Sequence, residues 1–383
     1  MKKYIFKIII IFTYLFSINS HAGTGKEFHG FPLLNRNIEF GILNANVLSD
    51  KDKVCIVGNY LNDDDARVYG RIMLLSISQN KVLWQKKIAA PDRNINNNII
   101  GCVGQGDFIY AVSNVDTDSH QATNTTLVYV YKFDLHGTQL ASKKINISHG
   151  NGLAYGILNE GNELHISGLV KNSDDVNEYY SMFTVKFNES LNLNIKYIKN
   201  GGFSNDSSIK ILGEDLFIGG EFYPKNISKN KAFKDYANSR IRLSNGYIWS
   251  VRPQSAPSLS VKTAISSLGN IYSMNIKKST TLFSIVDPNG KILKKFEYPS
   301  KFCRINSMME FQENILAIRK PCNDAFGKSA IVSVNIEKMK EKEITELKGE
   351  PVFIFSDSLR WYAISKNSSG DLIFEFGNSV GVF

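Results

Sequence analysis

The chain has 383 residues, of which 43% are hydrophobic, 21% charged and 11% aromatic. This composition excludes a disordered or collagen-like protein, and the length permits two or three average domains or one large all-β domain. The formal net charge is +9, which falls to +6 if Lys2, Lys3 and Lys7 are removed with the N-terminal segment. The other lysines lie in short scattered pairs rather than in one patch, so we expect no nucleic-acid partner.

The N-terminus has the pattern of a secretory signal peptide. Lys2 and Lys3 precede an apolar segment from Tyr4 to Ile18, and Ser20-His21-Ala22 supplies small residues for a cleavage site. A membrane anchor is the alternative, but the apolar run is too short for a comfortable span. The sequence therefore predicts a signal peptide in residues 1–22 and a domain in residues 23–383. We expect a periplasmic or secreted location and no transmembrane segment after cleavage.

One pattern recurs seven times along the rest of the chain. A turn rich in Gly, Asn or Asp precedes a short apolar strand, which is followed by a polar loop, a second strand, a tight turn and a third strand. Successive apolar strands begin 55, 55, 52, 55, 44 and 46 residues apart. They occupy residues 54–58, 109–113, 164–168, 216–220, 271–275, 315–319 and 361–365. Each unit is predicted to be a four-stranded antiparallel meander, which is the composition of a propeller blade.

The sequence therefore predicts an all-β fold, a single β-propeller with seven four-stranded blades. An outer-membrane barrel and a β-sandwich array or solenoid are the alternatives, but barrel strands alternate over about ten residues and the strands here are shorter. No segment has a clear helical pattern, and Lys338 to Glu343, charged all round, is interpreted as the extension of a turn. Because a propeller must cover the edges of its first and last blades, we expect a segment within Phe28 to Asn37 to pair into the last blade.

Three segments combine an apolar strand, a tight turn and a second apolar strand, namely Leu75–Trp84, Arg242–Trp249 and Ile285–Leu293. They resemble the outer hairpins of bacterial exported propellers with the pyrroloquinoline-quinone-type repeat. The resemblance implies the propeller fold. The chain differs from the quinoprotein enzymes, because Trp completes the pattern in only two of the seven copies and no vicinal cysteine pair is present. We therefore expect no cofactor.

The chain has four cysteines, and an even number in an exported protein allows disulfides. Cys303 and Cys322 flank a hairpin whose turn is Gln312-Glu313-Asn314. Residues that face each other in an antiparallel hairpin have numbers with a constant sum. Cys303 and Cys322 have the same sum as Phe311 and Asn314, the pair that closes the turn. The pattern predicts a Cys303–Cys322 disulfide. Cys55 and Cys102 lie in adjacent copies, and whether they pair is left open.

No metal site is predicted. The cysteines lack zinc-ligand spacing, and the acidic run Asp63-Asp64-Asp65 does not match a calcium-binding loop. His165 lies inside an apolar strand, so it is interpreted as a core histidine rather than a ligand.

Candidate binding residues lie in the long loops of consecutive copies. The loop from Glu221 to Ser239 is the longest and carries several basic and aromatic side chains. Long loops within a compact fold are commonly functional, and aromatic residues are enriched at interfaces. The candidates in this loop and its neighbour are Tyr179, Tyr180, Tyr223, Phe233 and Tyr236. A second group is expected near the mouth of the central channel and comprises Arg93, His149 and Arg252.

No catalytic residue is assigned, because the sequence lacks recognisable motifs of hydrolases and metalloenzymes. The sequence predicts an exported binding or scaffolding module for a protein or glycan partner in the cell envelope or the extracellular space. Two alternatives stay open. One is a propeller enzyme, such as a lyase, a lactonase or a quinone-dependent oxidoreductase, with its site at the central channel. The other is a lectin.

Overall fold

The structure is a computed structural model. It describes residues 31–32, 40–91, 96–116, 126–147, 150–172, 180–198, 202–203, 207–223, 235–244, 246–253, 261–277, 280–322, 328–369 and 371–378. Within these residues all regular elements are β-strands, which form seven antiparallel sheets. The structure confirms the all-β fold and the seven-bladed propeller. The described part of the chain holds no helix long and apolar enough to cross a membrane. The predicted signal peptide lies outside the described residues.

Each sheet is one blade, and the chain runs from an inner strand A through B and C to an outer strand D. Strand β1 (Phe31–Pro32) comes first. Blade 1 contains β2 (Phe40–Val47), β3 (Lys53–Asn62), β4 (Arg67–Ser76) and β5 (Lys81–Ile88). Blade 2 contains β6 (Asn96–Gln105), β7 (Phe108–Asp116), β8 (Thr126–Asp134) and β9 (Gln139–Ile145). Blade 3 contains β10 (Gly150–Glu160), β11 (Glu163–Asn172), β12 (Tyr180–Phe187) and β13 (Leu193–Ile198).

Blade 4 has an interrupted strand A. It contains β14 (Gly202–Phe203), β15 (Ser208–Leu212), β16 (Asp215–Tyr223), β17 (Asp235–Arg242) and β18 (Gly246–Val251). Blade 5 contains β19 (Lys262–Ile265), β20 (Ile271–Lys277), β21 (Thr280–Val286) and β22 (Ile292–Pro299). Blade 6 contains β23 (Phe302–Phe311), β24 (Asn314–Pro321), β25 (Ala330–Asn335) and β26 (Lys340–Glu346). Blade 7 contains β27 (Glu350–Ser356), β28 (Trp361–Lys366) and β29 (Leu372–Gly377).

The fourth strand of blade 7 comes from the other end of the chain. β1 pairs with β29, with Phe31 opposite Phe374 and Pro32 opposite Ile373. This confirms that a segment within Phe28 to Asn37 closes the ring. The pairing covers the edge of the last blade that would otherwise be open.

The seven predicted apolar strands are the B strands of the seven blades. They are buried on both faces because a neighbouring blade packs on each side, and β-branched and aliphatic residues suit such positions. One strand was interpreted wrongly. Lys340–Glu346 is strand D of blade 6 rather than part of a turn extension. An outer strand has a solvated edge, so most positions of this strand carry charged side chains and only Ile344 is a buried apolar residue. The alternation of apolar and polar residues that identifies a strand is therefore weak in this segment.

The described residues form seven hydrophobic clusters between neighbouring blades, and these clusters differ in size. The cluster between blades 4 and 5 is the smallest, with Phe217, Ile265 and Ile271 as its buried members. Polar contacts supplement it. Asp215 accepts hydrogen bonds from Arg240 Nε at 2.8 Å and Arg242 Nε at 3.0 Å, and Arg240 Nη1 donates to the carbonyl of Pro288 in blade 5 at 3.0 Å.

Burial would raise the pKa of the Asp215 carboxyl, but the hydrogen bonds from Arg242 and Arg240 outweigh it and hold the pKa below the usual value. The carboxylate is therefore ionised at neutral pH. It anchors the arginine that reaches across to blade 5.

Two tryptophans interlock neighbouring blades in the same manner. Trp84 Nε1 donates to the carbonyl of Leu135 at 2.8 Å, and Trp249 Nε1 donates to the carbonyl of Pro288 at 2.9 Å. Each indole covers a glycine in the C–D turn of the next blade, Gly137 or Gly290. Both glycines have a positive φ, and a Cβ there would lie 2.8 or 2.9 Å from the indole. These turns therefore require glycine for backbone conformation and for close packing.

The predicted Cys303–Cys322 disulfide is confirmed, with the Cα atoms 4.5 Å apart. Two bulges in β23 shift the simple register by two residues, so Phe302 rather than Arg304 faces Pro321, yet the two cysteines still meet. Cys55 and Cys102, whose pairing the sequence left open, also form a disulfide. It links strand B of blade 1 to strand A of blade 2, and both residues are buried.

A buried carboxyl in the closing blade is in an unfavourable setting. Glu375 is 2% exposed, and its Oε2 accepts hydrogen bonds from the Ser365 hydroxyl at 3.0 Å and the Lys348 backbone N–H at 3.3 Å. Burial raises the pKa of this carboxyl above its usual value despite both bonds. Ionisation of Glu375 at neutral pH therefore opposes folding.

We expect Glu375→Gln to raise the free energy of unfolding at pH 7 by on the order of 1 kcal/mol. The pKa is higher in the folded than in the unfolded state, so the stability present below the unfolded pKa is lost as pH rises through the folded pKa. The gain should therefore disappear below about pH 4, where the carboxyl is neutral in both states. Urea denaturation at pH 7 and below about pH 4 measures the difference in unfolding free energy between Glu375→Gln and wild type. The exposed Glu337→Gln is the control, and a Glu375→Gln protein no more stable than wild type at pH 7 would contradict the assignment.

Candidate functional site

The meander gives the ring two different faces. The A–B and C–D turns lie on one face, the turn face. The B–C and D–A connections lie on the other, the loop face, because the strands of each blade are antiparallel. Each candidate loop of the sequence is a B–C or D–A connection. The candidate binding residues therefore belong to the loop face.

The structure locates some of these candidates. Arg93, His149, Tyr179 and Phe233 lie outside the described residues. Tyr180 begins β12 and Tyr223 ends β16, so the backbones of both reach the loop face. Arg252 directly follows β18 and is exposed there.

The fourth-blade loop is shorter than the sequence indicated. Strands β16 and β17 extend to Tyr223 and from Asp235, so the connection between them is residues 224–234. Tyr236 lies in β17 and is 3% exposed. Its hydroxyl hydrogen-bonds Asn238 Oδ1 at 2.6 Å and also contacts Ser273 Oγ of blade 5. In this structure Tyr236 joins two blades, and its side chain presents no surface to a partner.

An aromatic and basic group does occupy the loop face of blade 1. We call Tyr60, Tyr69, Arg71, Lys87 and Asp65 the blade-1 cluster. Tyr60 faces Tyr69 across strands B and C, and both rings are half-buried. Lys87 Nζ lies 3.6 Å from the ring centroid of Tyr69 and 5.3 Å from that of Tyr60, and Arg71 Cζ lies 5.5 Å from the Tyr60 centroid. These are cation–π distances.

Hydrogen bonds fix the cluster. Tyr69 donates to Asp65 Oδ2 at 2.6 Å, and this bond lowers the pKa of the Asp65 carboxyl and raises that of the Tyr69 hydroxyl. Asp65 Oδ1 accepts from Asn62 Nδ2 at 2.8 Å and from the backbone N–H of Arg67 at 3.1 Å. The B–C hairpin thus presents its tyrosines in a set orientation. Within the described residues no three His, Cys, Asp or Glu side chains converge as metal ligands would.

His165 is buried in strand B of blade 3, as the sequence indicated. Its Nε2 has no hydrogen-bond partner among the described residues, and Glu163 Oε2 is 3.8 Å away. Burial lowers the pKa of the imidazole below its usual value. The side chain is therefore neutral at pH 7 and forms part of the blade 3 core.

The central channel contains a cavity of about 450 Å³ to which the A-strand regions of all seven blades contribute. Five of these described strands carry a bulge at the level of the cavity, and the residue that each of these bulges displaces lines the wall. These residues are Leu43, Ile100, Tyr155, Asn306 and Val352. A bulge inserts one residue into a strand and re-aims the side chains beyond it. The strict alternation used to interpret the sequence therefore could not identify the channel wall.

The cavity wall is of mixed character. Nineteen described residues line it, of which eleven are hydrophobic, and the polar ones are Asn44, Ser207, Ser208, Lys262, Thr263, Asn306 and Ser307. Among the described residues of the wall, Lys262 is the one basic side chain, and no acidic side chain lines it. The cavity volume lies within the range of small-molecule sites, about 300–1,000 Å³.

Comparisons with known proteins agree with the fold. No protein-family profile matches this chain, and no curated protein matches it. The β-propeller domain of the Trilobed protease from Pyrococcus furiosus, described as having an open velcro topology, is similar with a TM-score of 0.52 at 12% identity, over 93% of this chain and 95% of that chain. The Dos1 propeller is similar with a TM-score of 0.52 at 10% identity, over 92% of this chain and 97% of that chain. At these identities the similarity shows the fold alone.

Proposed function

We propose that this protein is an exported binding module that recognises a partner protein of the cell envelope or extracellular space with its loop face. The blade-1 cluster carries the proposal. It holds two tyrosines in fixed geometry at the end of a hairpin, with the exposed Lys87 over the Tyr69 ring and the buried Arg71 beside Tyr60. Tyr is enriched among the residues that dominate binding energy at protein interfaces.

The remaining loop-face candidates extend this surface around the ring. In our proposal Tyr179, Tyr180, Tyr223 and Phe233 contribute from blades 3 and 4, and Arg93, His149 and Arg252 contribute near the channel mouth. Side chains on loops held by a rigid scaffold are well placed for recognition. Tyr236 is left out because its side chain is buried between blades.

Export is part of the proposal. Two disulfides support it, because disulfides persist in oxidising compartments and are rare in the cytosol. The basic and apolar N-terminal pattern supports it independently. We also assign the blades to the pyrroloquinoline-quinone-type repeat. The interlocks of Trp84 and Trp249, which recur at equivalent positions, support a repeat of that pattern.

The experiment compares four forms of the 23–383 protein as bait in an extract of the cell envelope. Tyr60→Ser/Tyr69→Ser removes the aromatic pair, and a second variant replaces residues 224–234 by a short Gly-containing turn. Leu268→Ser, on the turn face and 76% exposed, is the matched control. We expect the tyrosine variant to weaken capture by about 30-fold, corresponding to a hot-spot loss near 2 kcal/mol. The loop variant should weaken it too, and the control should bind as wild type.

Melting temperatures establish that each variant is folded. Capture that survives both loop-face changes, or that is lost with Leu268→Ser, would place the interface on the turn face and contradict the proposal. A glycan array with the same four proteins tests the lectin alternative. Glycan binding that depends on Tyr60 and Tyr69 would assign the cluster to sugars instead of a protein.

A further inference from the structure

The wall of the central cavity is divided into two contiguous halves. Blades 7, 1, 2 and 3 supply a mostly apolar half, which includes Leu43, Ile100, Leu158 and Phe353. Blades 4, 5 and 6 supply most of the polar groups as consecutive pairs. These pairs are Ser207-Ser208, Lys262-Thr263 and Asn306-Ser307. Blades 7 and 1 are neighbours in the closed ring, so the four apolar blades form one continuous arc.

The two halves also differ in the groups they leave available. Leu43 lines the cavity and is still 41% exposed, which is unusual for an aliphatic side chain in an inner strand. On the polar side, several hydrogen-bonding groups are already used within the fold. Ser208 Oγ donates to the carbonyl of Thr263 at 2.7 Å, and Thr263 Oγ1 donates to the carbonyl of Gly219 at 2.8 Å.

One donor of the polar half is not used. The ammonium of Lys262 forms no ion pair or hydrogen bond with any described residue. The hydroxyl of Ser207 also has no partner in the described part of the chain, but its Oγ is closed off from the cavity beside Gly220. Lys262 is therefore the group of this half that is available to an anionic ligand.

We propose that the central cavity binds an amphipathic monoanion, a small carboxylate with an aliphatic body. The carboxylate lies against the polar half, where Lys262 provides the charge. The aliphatic body lies against the arc of Leu43, Ile100, Leu158 and Phe353. This site is distinct from the loop-face surface and does not depend on the proposed partner.

The chemistry of the wall favours this class of ligand. A single positive charge matches one carboxylate, and a charge-assisted hydrogen bond is about twice as strong as a neutral one. The apolar arc favours an aliphatic group that has no hydrogen-bonding atoms. A sugar would instead bury its hydroxyls against aliphatic side chains, where these hydroxyls would have no hydrogen-bond partners.

Isothermal titration calorimetry on the 23–383 protein tests the proposal, with hexanoate, octanoate and decanoate below their micelle concentrations as probes. We expect one saturable site per chain. The affinity should rise about fourfold for each added methylene until the apolar arc is covered. Acetate should show no measurable binding, and decyltrimethylammonium should bind at least tenfold more weakly than decanoate.

Two substitutions separate the halves of the site. Lys262→Met should weaken decanoate at least tenfold and leave decanol binding unchanged, whereas Leu43→Gln should weaken both. Lys144→Met, an exposed lysine on the outer strand of blade 2, is the matched control and should bind as wild type. If Lys262→Met fails to fold, Lys262→Gln and the comparison of decanoate with decanol in wild type test the same half.

Three results would overturn the proposal. They are the absence of saturable decanoate binding, an affinity independent of chain length, and equal affinities for decanoate and decyltrimethylammonium. These results are independent of partner capture by the loop face, so failure of one proposal does not imply failure of the other.

Discussion

Replacement of Arg319 by Ala is expected to lower the free energy of unfolding by about 3–5 kcal/mol, because it leaves buried acceptors without their cation. Arg319 lies on strand B of blade 6 and is fully buried. Its Nη1 donates to Glu341 Oε2 at 2.7 Å, and its Nη2 donates to Thr281 Oγ1 at 3.0 Å and Ser300 Oγ at 3.2 Å. Thr281 and the Ser300 connection belong to blade 5, so this one side chain joins two blades.

Urea denaturation at pH 7 measures the effect. Arg360→Ala is the control, since Arg360 lies at the exposed A–B turn of blade 7 and stacks 5.5 Å from the Phe376 ring. It should change the unfolding free energy by less than about 1 kcal/mol. A loss at Arg319 no larger than that of the control would show that the interface between blades 5 and 6 does not rely on the buried guanidinium.

Deletion of residues 23–36 is expected to destabilise the whole ring by several kcal/mol and to lower the melting temperature by roughly 5–10 °C. The deletion removes β1 and exposes the edge of β29. The effect should spread beyond blade 7. Aromatic rings of that blade, including Phe355, Tyr362 and Phe374, pack in the cluster shared with blade 1.

The matched control removes residues 23–29 and keeps β1. Differential scanning calorimetry should show a wild-type melting temperature for this shorter deletion and a single lowered transition for the longer one. Equal melting temperatures for both deletions would mean that the pairing of β1 adds nothing to closure.

The strands that are buried on both faces could be predicted from the sequence. The outermost strand D and the residues of the innermost strand A that line the channel were harder to predict. B strands such as Val54–Gly58 are continuous apolar runs because blades cover both sides. The outer strand Lys340–Glu346 was missed because its exposed edge tolerates alternating charges. At the inner border, bulges at residues such as Leu43 break the period of two, so the cavity wall was not predicted.

Contacts within a hairpin were also easier to predict than contacts between blades. The Cys303–Cys322 bond follows from the position of one turn and survives two bulges because both cysteines stay within a single hairpin. The Cys55–Cys102 bond depends on how strand B of one blade packs on strand A of the next, which residue spacing does not encode. Tyr236 shows the same limit. Its aromatic side chain was assigned to a loop, but it packs against Ser273 of the adjacent blade.

The pairing of Phe31 with Phe374 makes closure of the ring the contact of longest range among the described strand pairings. These partners are 343 residues apart in the chain, whereas the partners within a blade are neighbours in sequence. Contacts of such long range form late, because the entropy of closing the intervening segment must be overcome first. We expect the blades to stack before β1 pairs with β29, which is the last described strand in chain order. Until that pairing forms, the ring is an open arc with an unpaired edge at β29, and an unpaired strand edge favours aggregation.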